Sequence, residues 1–383
     1  MIRVGVIGCG YWGPNLVRAF NECNGAVVTA VCDLDKRCVD RIRSRQPTIK
    51  GYHDASQLLT QGDVDLVVIA TPVGSHFALA REAIACAKHV LVEKPLTQTA
   101  AEAEELIDLS ERQGVLLAVD HTFLFTPAVE KMKELIDAGG LGRINFIDSV
   151  RINLGLIRQE ISVIWDLAPH DLSIIDYLLG RTPQRVIATG ASHLSGGQVD
   201  VAYINLDFGG GLIANVHLNW LSPVKVRRMI FGGDRKVLIF DDLSNVEKIR
   251  VYDSGAAPVP EAASIESDGR QRVDYRVGDI WTPYLPPREA LAAEAEHVVA
   301  AIVSGRPLRA DGRSGLRVIR ILEACHRSLL DDGRRILMDE PLHKIEASQD
   351  ARRVPVPFED FAEPSRQVRQ SEPCVSRAQV HRH

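Results

Sequence analysis

The sequence predicts an α/β lobe followed by an α+β lobe. The first is a doubly wound parallel sheet. The second is a mostly antiparallel open sheet with helices on one face. Three observations lead there. At 383 residues the chain exceeds one typical domain of ~100–200 residues. Over the first 122 residues, runs that are apolar at nearly every position alternate with helical patterns, as in strands covered on both faces. Beyond residue 122 the apolar spacing changes to long alternations of period two.

The elements follow in order. IRVGVI (2–7), AVVTAVC (26–32), VDLVVIA (64–70), HVLVE (89–93) and VLLAVD (115–120) read as buried strands, with helical patterns at 74–87 and 99–113 among them. This unit spans 1–122. TPAVEKMKELIDAG (126–139) is an amphipathic helix with Pro127 in its first turn and Gly139 at its end. A helix at 167–179 follows. VAYINLDF and LIANVHLNW (201–220) are strands around a glycine turn, with Ala202, Ile204, Leu206 and Phe208 on one face. On the second strand Asn215, His217 and Asn219 share a face. KVRRMIF and KVLIF are further strands, DIWTPYL (279–285) an exposed aromatic loop, and 288–304 and 313–331 helices. The second unit spans 123–345. Residues 346–383 mix Arg, Pro, Ser, Gln and Glu without period and are expected to be a disordered tail.

Composition narrows the function. The chain is 45% hydrophobic and 25% charged with net charge −5, which argues against a nucleic-acid groove or a polybasic membrane patch. No apolar run approaches the ~20 residues of a membrane span. The chain enters its first strand without a signal-peptide pattern. Seven scattered cysteines without CxxC or Cys/His spacing fit reduced thiols in the cytoplasm, and no metal site stands out.

GCGYWG (8–13) follows the first strand and opens a helix. Gly8 permits the tight turn, Gly10 admits the backbone close to a pyrophosphate, and Gly13 lets helix and strand pack closely. The phosphates would sit at the helix N-terminus. Asp33 ends the second strand, twenty residues past Gly13, where a carboxylate accepts from ribose hydroxyls. It would repel a 2′-phosphate, so the pattern predicts a Rossmann domain preferring NAD to NADP. Lys36 and Arg37 lie close by and weaken that preference.

Two further segments end strands at the same carboxyl edge, where ligands of open α/β sheets bind. ATPVGSH (70–76) brings Thr71, Pro72 and His76; VEKP (92–95) brings Glu93 and Lys94. A lysine in a partly dry crevice can exchange protons near neutral pH. Later, WDLAPHD (165–171) puts Asp166 and His170 one helical turn apart. If Asp166 caps the helix, Pro169 falls in its first turn. The helix N-terminus disfavours an imidazolium and the carboxylate favours one, so sequence leaves the sign of the shift open.

Together GxGxxG, the acid after the second strand, ATPxxxH, EKP and DxxxH resemble the Gfo/Idh/MocA oxidoreductase family over roughly residues 1–335. The resemblance implies a two-domain NAD(P)-dependent dehydrogenase of sugars, inositols or sugar nucleotides. It implies that Gly8, Gly10, Tyr11, Trp12, Gly13, Asp33, Thr71, Pro72, His76, Glu93 and Lys94 meet the cofactor. Lys94, His170 and Asp166 are then catalytic, with Lys94 or His170 as the base, and the Lys94–Pro95 peptide is expected to be cis.

GYWGPNLVRAF, HTFLFTPAV (121–129) and the run from Arg151 to WDLAPHD are similar to a branch acting at C3 of UDP- or dTDP-linked hexoses and hexuronates. That likeness implies substrate contacts from Lys94, His121, Arg151, Arg158, Asp166 and His170, the arginines pairing a pyrophosphate or a uronate, or lying solvated at the surface. Tyr177 is a candidate pocket residue that reads more readily as core packing. Thr126 stands where the branch often has Asn. The family also implies a homodimer or homotetramer. Inositol or free-sugar oxidation, and a non-catalytic dinucleotide- or sugar-binding regulator, are the alternatives.

Overall fold

The computed structural model describes residues 1–339 apart from 156, 158, 159, 195, 196 and 259–272. The expected tail, 346–383, and Arg158 lie outside the described residues.

The first sheet contains β1 (Ile2–Ile7), β2 (Ala26–Cys32), β3 (Lys50–Tyr52), β4 (Leu66–Ile69), β5 (His89–Glu93) and β6 (Leu117–Asp120). All its pairs are parallel, in the order β3-β2-β1-β4-β5-β6. The order reverses beside β1, so a crevice opens where β1 and β4 end, the usual ligand position of a doubly wound sheet. α1 (Gly13–Glu22), α2 (Lys36–Arg43), α3 (Ala55–Gln61), α4 (His76–Ala85) and α5 (Ala100–Gln113) cover its faces. β3 has no counterpart in the sequence pattern: three residues without an apolar run carry no strand signal, and pairing with β2 alone makes it one.

α6 (Pro127–Asp137) leads into β7 (Ile144–Ile152), α7 (Val163–Leu179) and β8 (Arg185–Ala191). β9 (Val201–Asp207), β10 (Ile213–Asn219), β11 (Val226–Gly233), β12 (Val237–Asp241), β13 (Ile249–Pro258) and β14 (Val273–Trp281) follow. α8 (Ala290–Ser304), α9 (Gly312–Leu330) and β15 (Ile336–Leu337) complete the described elements. The second sheet runs β14-β13-β12-β11-β7-β10-β9-β8-β15, with β7 and β10 parallel and its other pairs antiparallel. β9 and β10 meet at Gly209, Gly210 and Gly211, three successive residues with positive φ (72°, 64° and 85°), a backbone that side chains disfavour. Ala202, Ile204 and Leu206 face the core under α7 and α9. Asn215, His217 and Asn219 share the opposite face, where Tyr203 stacks on His217 at 4.5 Å.

α8 returns across the molecule to α1. Leu291, Ala295, Val298 and Val299 pack into the apolar cluster of Val4, Leu16 and Phe20.

Two expectations need correction. α7 begins four residues before 167. Ser162 stands at its N-cap, Asp166 lies in the first turn and Pro169 is inside the helix. Val163, Ile164 and Trp165 are buried, so their apolar face extends the helix past the position at which Asp166 would cap it. DIWTPYL is not wholly a loop: its first three residues end β14, where Trp281 pairs with Val251, while Tyr284 stands 82% exposed.

Candidate active site

The glycine loop has the form a dinucleotide requires. Gly8 has φ of 98°, and a Cβ there would lie 2.6 Å from the Ala70 carbonyl at the end of β4. A Cβ on Gly13 would strike the Gly8 carbonyl. A Cβ on Gly10 would meet nothing within 4 Å. Two glycines are therefore demanded by the protein's own backbone, and the third leaves space beside the start of α1. No side chain caps that helix; Pro14 has no N–H and the Asn15 N–H is bonded to the Trp12 carbonyl at 2.9 Å, so an anion there would be met at the Gly13 end of the helix. Asp33 closes β2, its carboxylate accepting from the N–H of Cys9 at 2.6 Å and of Asp35 at 2.9 Å. Arg37 is forked onto Asp35, and Arg41 donates to the Cys9 carbonyl at 2.8 Å. Tyr11 is 90% exposed, while the indole of Trp12 donates to Asp120 at 2.8 Å. These residues fit the phosphates and ribose of a dinucleotide.

Thr71 and Pro72 follow β4, and the cis Lys94–Pro95 peptide follows β5. His76 is turned inward. It is buried with Nδ1 2.9 Å from the Pro95 carbonyl and Nε2 2.8 Å from the Thr71 carbonyl. Burial lowers its pKa. A neutral ring carries one N–H, so His76 donates to one of these two carbonyls.

Lys94 crosses from the first sheet to α7. Its Nζ donates to the main-chain carbonyl of Asp166 at 2.7 Å and lies 3.5 Å from Asp166 Oδ1. Both side chains are largely enclosed. His170 sits one turn further along α7, its ring edge-on to Phe123 at 5.1 Å. Burial, then the charges of Lys94 and Arg151, hold the imidazole well below its usual pKa. It is therefore neutral near pH 7 and able to accept a proton. Sequence left that sign open because it could not show how deeply the ring is enclosed.

Arg151 is enclosed and does not lie solvated at the surface. It is 3% exposed, forks onto buried Asp171 at 2.8 and 3.1 Å, and covers Phe123 with its guanidinium 4.7 Å from the ring centre. Spacing could not show this: on β7 it points to the core side, and α7 supplies its carboxylate. Thr126 caps α6, accepting from the Val129 N–H at 3.3 Å. His121 is buried, and its ring nitrogens have no hydrogen-bond partner.

Three carboxyl groups gather here, Asp120 and Glu294 buried and Glu93 half-buried, a cluster that no local spacing signals. Glu93 accepts from the Lys94 N–H at 2.8 Å, Asp120 takes Trp12 and the Thr122 hydroxyl, and Glu294 reaches in from α8 at 1% exposure. Burial, with Asp120 second, raises both Glu93 and Glu294 well above the usual carboxylate range. Glu294 could have been flagged, since it is an acid among Leu291, Ala295 and Val298 on an apolar helix face. Among the described residues no cluster of His, Cys, Asp or Glu is arranged to hold a metal ion.

A doubly wound lobe with an open glycine loop and an uncapped helix, whose carboxyl edge meets ionisable groups of a second lobe, defines a dinucleotide-dependent oxidoreductase. Residues 2–121 match the oxidoreductase family with an NAD-binding Rossmann fold, and residues 129–239 match the Gfo/Idh/MocA C-terminal domain. The chain belongs to the Gfo/Idh/MocA oxidoreductase family. It is 30% identical over 322 residues to the UDP-N-acetylglucosamine 3-dehydrogenase of Acidithiobacillus ferrooxidans, covering 83% of this chain and 94% of that one. A solved structure of that enzyme superposes with a TM-score of 0.71 at 28% identity, covering 86% and 97% of the two chains. The myo-inositol 2-dehydrogenase of Thermotoga maritima is 25% identical over 88% of this chain and 99% of its own. No helix among the described residues is long and apolar enough to cross a membrane.

Proposed function

We propose that this oxidoreductase uses NAD to interconvert a hydroxyl and a ketone at C3 of a UDP-linked hexose, hexosamine or hexuronate. The observation that carries the reading is the Lys94 ammonium reaching Asp166 on α7, with neutral His170 one turn on. The overall likeness to a UDP-N-acetylglucosamine 3-dehydrogenase supports the substrate class.

Bound NAD supplies a hydride acceptor. The loop at Gly8, Gly10 and Gly13, with Trp12 held by Asp120, seats the pyrophosphate at α1, and Asp33 takes the ribose hydroxyls. Thr71, Pro72 and Glu93 line the neighbouring strand ends. NAD is preferred to NADP because Asp33 would face a 2′-phosphate. Arg37 is already engaged by Asp35, which removes part of the ambiguity its position creates. His170 accepts the hydroxyl proton. Lys94 donates a hydrogen bond to the reacting oxygen, and Asp166 orients Lys94.

Residues 1–122 act as the cofactor domain and 123–345 as the substrate and oligomerisation domain. Assembly as a homodimer or homotetramer through the second sheet is supported by its outer face, where Tyr203 and Ile213 are each 49% exposed. Free thiols at Cys9, Cys23, Cys32, Cys38, Cys86 and Cys325 support a cytoplasmic location.

The test is NADH formation from a panel of UDP- and dTDP-sugars beside free inositols and aldoses. Turnover of UDP-N-acetylglucosamine or its uronate supports the reading. Turnover confined to polyols would move the assignment to inositol or free-sugar oxidation, which the Thermotoga relative favours. Dinucleotide binding without any turnover would favour a regulator.

A further inference from the structure

We propose that His121 and the cavity behind α7 form a proton exit for the dehydrogenase reaction, and the inference rests on that reading. The cavity encloses about 140 Å³, about ten times the minimum that one ordered water requires. Ser173, Asp176, Tyr177 and Gly180 line it at three- and four-residue spacings, on one face of α7 that continues from His170. It therefore runs along the helix from Ser173, whose hydroxyl is bonded to the His170 carbonyl, to Gly180 at the helix end. His121 lines it, and Arg317, with a side chain 39% exposed, brings it to solvent.

The polar groups lining it differ in what they still need. Asp176 is held by the Arg317 fork at 2.7 and 2.8 Å. Arg309 donates to the Leu124 carbonyl and to Glu130, each at 2.8 Å, and the Ser173 hydroxyl donates to the His170 carbonyl at 2.9 Å. His121 is 2% exposed, and neither ring nitrogen has a partner. Burial, with the Lys94 charge second, lowers the ring to about 3. A neutral imidazole offers one donor and one acceptor, and an enclosed pair of this kind calls for water. The Lys94 charge acts on both rings and His121 acts on His170, so the three groups lie within electrostatic reach of one another, and His121 is the one of them that lines the cavity.

The chemistry needs such a path. In alcohol oxidation the C–H bond breaks with its electron pair passing to the nicotinamide, and the O–H proton passes to His170. One proton per turnover must then leave His170 for bulk water, and a path behind the ring lets it leave while the sugar still fills the cleft. His121 takes it on one nitrogen and releases one from the other to water in the cavity, which carries it past Asp176 and Arg317. In the reductive direction the same path delivers a proton.

The experiment pairs two readouts. In stopped flow with UDP-N-acetylglucosamine and NAD, an indicator dye follows proton release while NADH is followed directly. The two are expected to coincide in the wild type. In His121→Asn and His121→Phe, kcat should fall at least about tenfold with KM nearly unchanged, and added imidazole should restore rate to the smaller Asn variant. Unchanged kcat, or a raised KM at unchanged kcat, overturns the exit; the latter would make His121 a substrate contact. Independently of turnover, a crystal structure of the wild type should show water from the His121 ring to Arg317, and a dry cavity overturns the proposal. If the wild type oxidises no sugar or polyol, the parent reading fails, and the water structure alone decides whether the path exists.

Discussion

Lys94, at the end of β5, donates its ammonium to the main-chain carbonyl of Asp166 on α7 at 2.7 Å. One contact thus joins residues 72 positions apart at the edge of the nucleotide-binding sheet. Because the acceptor is the main chain, the join survives substitution of the Asp166 side chain. It does not survive loss of the amine.

Lys94→Met and His170→Asn should each lower kcat/KM by about 10²–10⁴. NAD affinity, read by tryptophan fluorescence, should stay within about tenfold, since the glycine loop and Asp33 are untouched. Full activity in either variant would remove that residue from the chemistry.

Burial and the Lys94 charge keep His170 below its usual pKa. The protonated ring cannot accept, so the acid limb of kcat/KM reports its titration. The rate should stay level as pH falls to ~6.5, the ordinary histidine value, and decline only below it. An acid limb at or above that value would point to another base.

Arg151→Met should destabilise the fold by about 3–5 kcal/mol, because it leaves the Asp171 carboxylate buried and unpaired. Urea unfolding measures this, and the double variant Arg151→Met with Asp171→Leu should recover part of the loss. A raised substrate KM at unchanged stability would return Arg151 to the substrate site.

Asp33→Ser should cut the preference for NAD over NADP by at least about tenfold, about 1.4 kcal/mol. Initial rates with both cofactors provide the check. An unchanged ratio would mean that the ribose is selected elsewhere.

The Glu294 carboxyl is raised in the fold, so its sign is opposite to that of a paired surface acid. Its contribution is present below the unfolded value and is lost as pH rises through the folded one. Glu294→Gln should therefore raise Tm at alkaline pH and change it little near pH 5. Equal shifts at both pH values would exclude a retained proton.

Much of the first lobe was legible because its signals are local. AVVTAVC and HVLVE are strands at the boundaries their apolar runs predict, and GCGYWG stands between strand and helix as its spacing requires. α7 was harder. Its start depends on burying Val163, Ile164 and Trp165, a choice made by packing against a sheet whose strands come before and after it in the chain.

Residue order alone marked out the dinucleotide loop, the acid at the end of β2, the lysine of VEKP and the histidine of WDLAPHD. Each depends on neighbours a few positions away, where backbone geometry and apolar period act. Partnership was settled elsewhere, by folding across long separations. Arg151 found Asp171, His76 turned to two carbonyls, and Glu294 arrived from α8 beside Asp120. Charge, burial and hydrogen-bond capacity are properties of the space around a side chain, and that space forms only when both sheets and the returning helix pack together.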